Sequence, residues 1–487
     1  MLLVCGTSLY FYSLCTAHDS LKEGNILATR VILVRHGEST YNVERRVQGL
    51  CDASTLTEAG RAGAGQVGTS LQGLPITAIY SSPLKRAKET AEIISSTLGQ
   101  NGFSAPSLQF SNDLREISLP LWEGLSFQEV EDQYPHEYQM WRESPSDLKM
   151  NVPTEDAGVD EFYPVVALYE QAQRFWKDTL PHHADDTILL VAHSGINRCL
   201  IGAAIGLGPS GYQVFHQSNC GISILNFSGG LGDPVQLESI NLTAHLGQPL
   251  PKPRTPQGAR FLLVRHGETQ WNREKRFQGQ IDVPLNEQGQ FQSGQAAKFL
   301  ESVPIDRAVS SPMLRPKETA EIILQDHPGV TLELDDNLKE ISHGLWEGKL
   351  EEEIEQDFPG ELAQWKTAPE TVQMPEGENL QQVWDRTVTA WNTILAATPD
   401  TGAPDTPDNT HGRPFTTLVV AHDAVNKALL CYLAGQTPHH FWAYKQGNGS
   451  VTVIDYPYGT SGKPLIHALN ITSHLGGVLD KTAAGAL

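Results

Sequence analysis

The chain has 487 residues, 39% of them hydrophobic, and a formal net charge of −22. That length predicts more than one domain, each large enough to bury its own core. The acidic balance argues against nucleic acid or an anionic membrane as a standing partner, so an anionic ligand has to be gathered by local cations.

The first stretch, residues 1–28, is predicted to be a disordered leader rather than a targeting segment. It is apolar and aromatic to Ala17, but no Lys or Arg precedes that run and it is too short to span a bilayer. Six cysteines (Cys5, Cys15, Cys51, Cys199, Cys220, Cys431) show no CxxC pair or disulfide-like spacing. They predict reduced thiols and a cytoplasmic setting.

From residue 29 strands and helices alternate. Val31–Val34 is a short β-branched and apolar run, expected to be a strand covered on both faces, and it leads into Arg35, His36 and Gly37. Leu56–Gly60 opens a helix, and Ile76–Tyr80 is a strand. Ser82 and Pro83 start a helix to Ser96, since Ser caps well and Pro suits a first turn. Ser126–Leu180 reads as mostly helical, Thr187–Val191 as a strand ending at His193, Ile196–Ile205 as a helix, and Gly221–Phe227 as a final strand. This alternation predicts a three-layer α/β fold around a mostly parallel sheet.

The pattern then repeats. VRHGE at Val34 returns at Val264, SSP at Ser81 at Ser310, LWEG at Leu121 at Leu345, VAH at Val191 at Val420, and NLTAHLG at Asn241 as NITSHLG at Asn470. Order is kept and the offsets stay between 224 and 230 residues, so one domain is duplicated in tandem. The expected units are 29–247 and 259–478. Residues 248–258 form a stiff Pro-rich linker, and Thr398–Pro414 is expected to be a mobile surface loop.

Open α/β sheets bind ligands beyond the carboxyl ends of their strands. Each repeat puts chemistry there: Arg35 and His36, with Arg265 and His266 as their duplicates; Arg86 and Arg315 near a helix start, where an anion is favoured; Glu116 and Glu340 in a loop; His193 and His422 at a second strand end. A lone strand-end His is usually a satisfied core residue. Two per domain, in both domains, make that reading poor.

In that order these motifs resemble the histidine phosphatase superfamily, with its phosphoglycerate-mutase-like fold, and the likeness covers both repeats. The resemblance implies that His36 and His266 are phosphorylated nucleophiles. Arg35, Arg86 and His193 would hold phosphoryl oxygens in the first domain, and Arg265, Arg315 and His422 in the second. Glu116 and Glu340 would protonate the leaving oxygen and then activate water. Asn42 with Gly49, and Asn272 with Gly279, match the substrate-facing loop. Two Arg forks and a protonated His can neutralise the transferring group without a metal, and no metal-spaced ligand cluster or cofactor motif is present. A Glu beside a phosphate dianion should have a raised pKa.

The expected activity is that of a phosphomonoesterase of the histidine acid phosphatase type, acting on small phosphorylated metabolites such as sugar or sugar-acid phosphates. Acidic stretches after the acid Glu, Glu129–Asp132 and Glu351–Glu355, are expected to form a lid that repels a second phosphate, which favours hydrolysis over a bisphosphate-primed phosphoglycerate mutase. A non-catalytic phosphate-binding protein is the alternative of another class. Pro316, after Arg315, is expected to shift the start of its helix, and Asp423, after His422, to weaken phosphate binding or orient the ring.

Overall fold

A computed structural model describes residues 28–100, 106–153, 158–400 and 412–482. The expected leader, apart from Ala28, and most of the loop Thr398–Pro414 lie outside the described residues.

Fourteen strands occur among them. In chain order they are β1 (Thr29–Arg35), β2 (Ile76–Ser81), β3 (Leu108–Phe110), β4 (Met150–Pro153), β5 (Val159–Phe162), β6 (Thr187–Ala192), β7 (Ile222–Phe227), β8 (Val235–Leu242), β9 (Ala259–Arg265), β10 (Arg307–Ser310), β11 (Leu332–Leu334), β12 (Phe415–Ala421), β13 (Val451–Tyr456) and β14 (Leu465–Ile471). Twelve form one sheet in the order β11-β10-β12-β9-β13-β14-β8-β7-β1-β6-β2-β3. Val31 to Val34 are fully buried, as expected of a strand with helices on both faces. β1, β6, β2 and β3 run parallel, and β7 and β8 close that half antiparallel; β9, β12, β10, β11, β13 and β14 repeat the plan.

Each half carries its own six-stranded, mostly parallel sheet, as expected, and the two join edge to edge into one twelve-stranded sheet. Among the strands not expected from the sequence, β8 is the one at the seam, since β7 reads as the final strand. β8 pairs antiparallel with β14, with Ile240 opposite Leu469. The seam is reciprocal: Asn241 Nδ2 donates to the His467 carbonyl at 2.8 Å and Asn470 Nδ2 to the Glu238 carbonyl at 2.7 Å. Both asparagines have left-handed backbones, φ 57° and 51°, which Asn tolerates better than most residues. Apolar packing crosses the seam too: Ile32, Val34 and Ile224 belong to the same buried cluster as Leu262, Val264 and Val453.

The linker is not free-standing, for Pro251 is buried and its carbonyl accepts from Arg260 Nη1 at 2.9 Å. The long helical stretch expected over 126–180 is broken by the β4–β5 hairpin; the helix Pro135–Glu143 stops just before Pro145, whose ring cannot continue it. The helix after β2 starts at Lys85, not Ser82, and its duplicate starts at Leu314. Pro316 does not displace that start. It occupies the first turn, where a missing N–H removes no helical bond.

Register places the chemistry. Arg35 lies beside Ala192 and Ser81 beside Val191. The next residues along the chain, His36, His193 and Ser82, therefore emerge together at one edge of the sheet. Arg265 beside Ala421 and Ser310 beside Val420 do the same for His266, His422 and Ser311.

Candidate active sites

In each half the structure gathers the predicted arginines, histidines and glutamate into one pocket. The His36 and His193 ring centroids are 5.2 Å apart, and those of His266 and His422 are also 5.2 Å apart. Arg86 and Arg315 are fully buried at the starts of their helices.

Backbone carbonyls aim the guanidinium groups. Arg35 Nη1 donates to the Gln217 carbonyl at 2.8 Å and Arg265 Nη1 to the Gln446 carbonyl at 2.6 Å. Arg86 Nη2 donates to the Gly49 carbonyl at 2.8 Å, and Arg315 Nη2 to that of Gly279 at 2.9 Å. Gly49 and Gly279 thus act on the arginine through their carbonyls. The Nε atoms of Arg35 and Arg86 are buried without a protein partner. Burial lowers the pKa of Arg35 and of Arg315 to about 10, so both remain cations at neutral pH.

All four histidines are held well below the ordinary imidazole value, by burial first and then by the neighbouring arginines. Burial and the neighbouring arginines thus oppose the protonated state expected of His193 and His422 and favour neutral rings. His36 Nδ1 faces the Gly37 carbonyl at 2.7 Å, and His266 Nδ1 faces Gly267 at 2.7 Å. His193 Nε2 meets Ser82 Oγ at 2.8 Å and His422 Nε2 meets Ser311 Oγ at 2.9 Å, leaving each Nδ1 buried and unpaired.

Glu116 accepts from the backbone N–H of Gly195 at 3.1 Å, Ile196 at 3.2 Å and Ile117 at 2.9 Å. Glu340 accepts from Ile341 at 3.0 Å and from Ala424 at 3.4 Å. Burial raises the Glu340 pKa, with Arg315 opposing. Asn42 and Asn272 cap their own short helices and tie them across the pocket: Asn219 Nδ2 reaches Asn42 Oδ1 at 3.1 Å and Asn448 Nδ2 reaches Asn272 Oδ1 at 3.4 Å. The second pocket is the more closed, since Arg265, Glu340 and Asn272 are buried where Arg35, Glu116 and Asn42 are partly open.

Two carboxylates of the acidic stretches are engaged locally. Glu129 caps the helix start at Ser126 and faces Arg46, while Glu353 caps Leu350 and faces Arg276. Those carboxylates serve their own helices.

Sequence reasoning missed several supports. Ser82 and Ser311 read as helix caps but hold the second histidine. Asn219 also donates to the His36 and Gly37 carbonyls, at 3.0 and 3.2 Å. Glu123 and Glu347, of the LWEG motifs, accept from the loops after Gly49 and Gly279. Their signal was recurrence in both halves.

The family described as "Histidine phosphatase superfamily (branch 1)" matches residues 31–240 and again 261–472. A 2-carboxy-D-arabinitol-1-phosphatase of Triticum aestivum is 30% identical over 467 residues, covering 92% of this chain and 87% of that protein. Phosphoserine phosphatase 1 of Hydrogenobacter thermophilus is 31% identical over 217 residues, 45% of this chain and 94% of its own. A solved mycobacterial glucosyl-3-phosphoglycerate phosphatase is 30% identical, covers 40% of this chain and 91% of its own, and has a TM-score of 0.36. Among the described residues no helix is long and apolar enough to cross a membrane.

Proposed function

This chain belongs to the histidine phosphatase superfamily (branch 1), and from that membership we propose a metal-independent phosphomonoesterase with a phosphohistidine intermediate in each half. Its substrates are small phosphorylated metabolites, sugar or sugar-acid phosphates. The name of the wheat relative supports the sugar-acid class.

His36 Nε2 attacks phosphorus, and the P–N bond forms as the P–O bond to the leaving group breaks. The carboxyl of Glu116, protonated for this step, gives its proton to the departing oxygen. Water then attacks the phosphohistidine, Glu116 takes a proton from it, and Nε2 leaves with the bonding pair. Arg35 and Arg86 offset the charge on the equatorial oxygens, and His193 Nδ1 offers one more polar contact. His266, Glu340, Arg265, Arg315 and His422 take the same roles in the second half.

The observation that carries this reading is the free Nε2 of a neutral His36 beside two buried or half-buried guanidinium groups. The test is phosphate release from a panel of phosphorylated metabolites in the presence of a chelator. Wild type and the single variants His36→Ala and His266→Ala should release phosphate, and the double variant should release none. Isomerised phosphoglycerate in place of free phosphate, from 3-phosphoglycerate with a bisphosphate primer, would identify a mutase instead.

A further inference from the structure

The two pockets differ in one cluster, on the helices that follow His193 and His422. In the first, Gly195 and Arg198 share a face of the helix Ser194–Ala204. Gly195 leaves room where the Glu116 carboxylate and the Tyr212 hydroxyl converge; a Cβ there would lie 2.8 Å from that hydroxyl. The Arg198 guanidinium sits over the Tyr212 ring, 5.5 Å from its centroid. Its Nε is buried without a hydrogen-bond partner, and it forms no ion pair among the described residues. Glu116 does not fill the gap, because its oxygens are taken by backbone N–H groups. The charges around it are mixed: Arg35 and Arg254 repel this cation, while the Glu116 carboxylate attracts it from a distance without pairing with it. A half-buried guanidinium with no ion-pair partner among the described residues keeps its fork of donors available to an anionic group of a ligand.

In the second half the counter-ion is built in. Lys427 replaces Arg198, and Asp423 replaces Ser194. Asp423 lies 2.7 Å from Lys427 Nζ and 3.6 Å from Arg265 Nη1, with both side chains buried. Phe441 stands where Tyr212 does and carries no hydroxyl. Lys427 Nζ is 5.1 Å from the Phe441 centroid and 4.5 Å from that of Trp442.

We propose that Arg198 and Tyr212 form a subsite in the first pocket for a carboxylate of the substrate, and that Asp423 occupies the matching subsite in the second. The first pocket then selects phosphorylated acids. The second is left for phosphomonoesters without a second anionic group. A carboxylate fits better than a second phosphate: one planar fork and one hydroxyl match its two oxygens and single charge. The proposal rests on the hydrolytic reading above and assigns a substrate class to each half.

The test uses the full chain with His266→Ala, so that the first pocket alone turns over. It compares kcat/KM for 3-phosphoglycerate and for glycerol 3-phosphate, which lacks the carboxylate. The expected ratio is about tenfold or more in favour of the acid, the worth of one charge-assisted contact. It should fall to about one in Arg198→Met and recover in part in Arg198→Lys. Because Arg198→Met could disturb folding, a reciprocal variant is measured as well: with His36→Ala, Asp423→Ser frees Lys427 and should raise the second pocket's ratio several-fold. A parallel loss on both substrates in Arg198→Met, or a wild-type ratio near one, overturns the subsite while leaving hydrolysis intact. Dependence on Arg198 seen with a bisphosphate but not with the acid overturns the carboxylate assignment. No phosphate from either compound overturns the hydrolytic reading and the subsite with it.

Discussion

His36 Nδ1 lies 2.7 Å from the carbonyl oxygen of Gly37, an atom that can only accept a hydrogen bond. The proton of the neutral ring is therefore on Nδ1, and the lone pair on Nε2 is left for phosphorus. The residue that follows the nucleophile sets its tautomer, and Gly267 does this for His266, whose Nε2 lone pair accepts from Arg315 Nε at 3.2 Å.

That arrangement depends on Gly37 having no side chain. A Cβ at residue 37 would fall against the backbone carbonyl of Gly60, at the start of the helix Glu58–Leu71, well inside contact distance. Neither backbone can yield without moving the loop. Gly37→Ala should cost about 1–3 kcal/mol of stability and remove most of the first pocket's turnover. Thermal unfolding and phosphate release, measured with His266→Ala, check both. Unchanged turnover would separate the loop from the chemistry.

If Glu116 is the acid, its importance depends on the leaving group. Glu116→Gln, in the His266→Ala background, should lower kcat about 10²- to 10³-fold on alkyl phosphates. On p-nitrophenyl phosphate, whose phenolate leaves without a proton, the loss should be about tenfold or less. Equal losses on both would assign Glu116 to binding rather than proton transfer.

Acid should unfold the protein early. Burial holds His245 and His474 at about 4 and His343 at about 3, and the four pocket histidines are also lowered. The unfolded chain takes up these protons near pH 6.5, where the folded one does not. Below that pH the unfolded state binds more protons, so stability is complete above about pH 7 and falls toward pH 4, by up to about 1.4 kcal/mol per pH unit for each such ring. Tm measured at pH 7.5, 6 and 5 should drop steeply over the last interval. A flat Tm would mean these rings are not buried as neutral groups.

Much of this was legible in the chain. The apolar strands that end in Arg35–His36 and at His193 are read from residue type alone, and parallel register then brings His36 beside His193. The duplication multiplied the signal, since a pattern present at Val34 and again at Val264 is not chance. Contacts made by backbone were hidden: nothing in Gly37, Gln217 or Gly49 announces that its carbonyl orients His36, Arg35 or Arg86. Ser82 looked like a helix cap because its hydroxyl has two local uses and only the fold chooses between them. NLTAHLG and NITSHLG were visible as an echo. Their asparagines join the halves, and that role needs β8 and β14 to be neighbours, which no local pattern specifies.

The central claim is that phosphorus is carried on His36 and His266, and rapid quenching during turnover of a ³²P-labelled phosphomonoester tests it most directly. The account predicts acid-labile, alkali-stable label on both histidines of the wild-type chain, on one of them in His36→Ala or His266→Ala, and on neither in the double variant. Continued turnover by the double variant, or acid-stable label on another side chain, would contradict it.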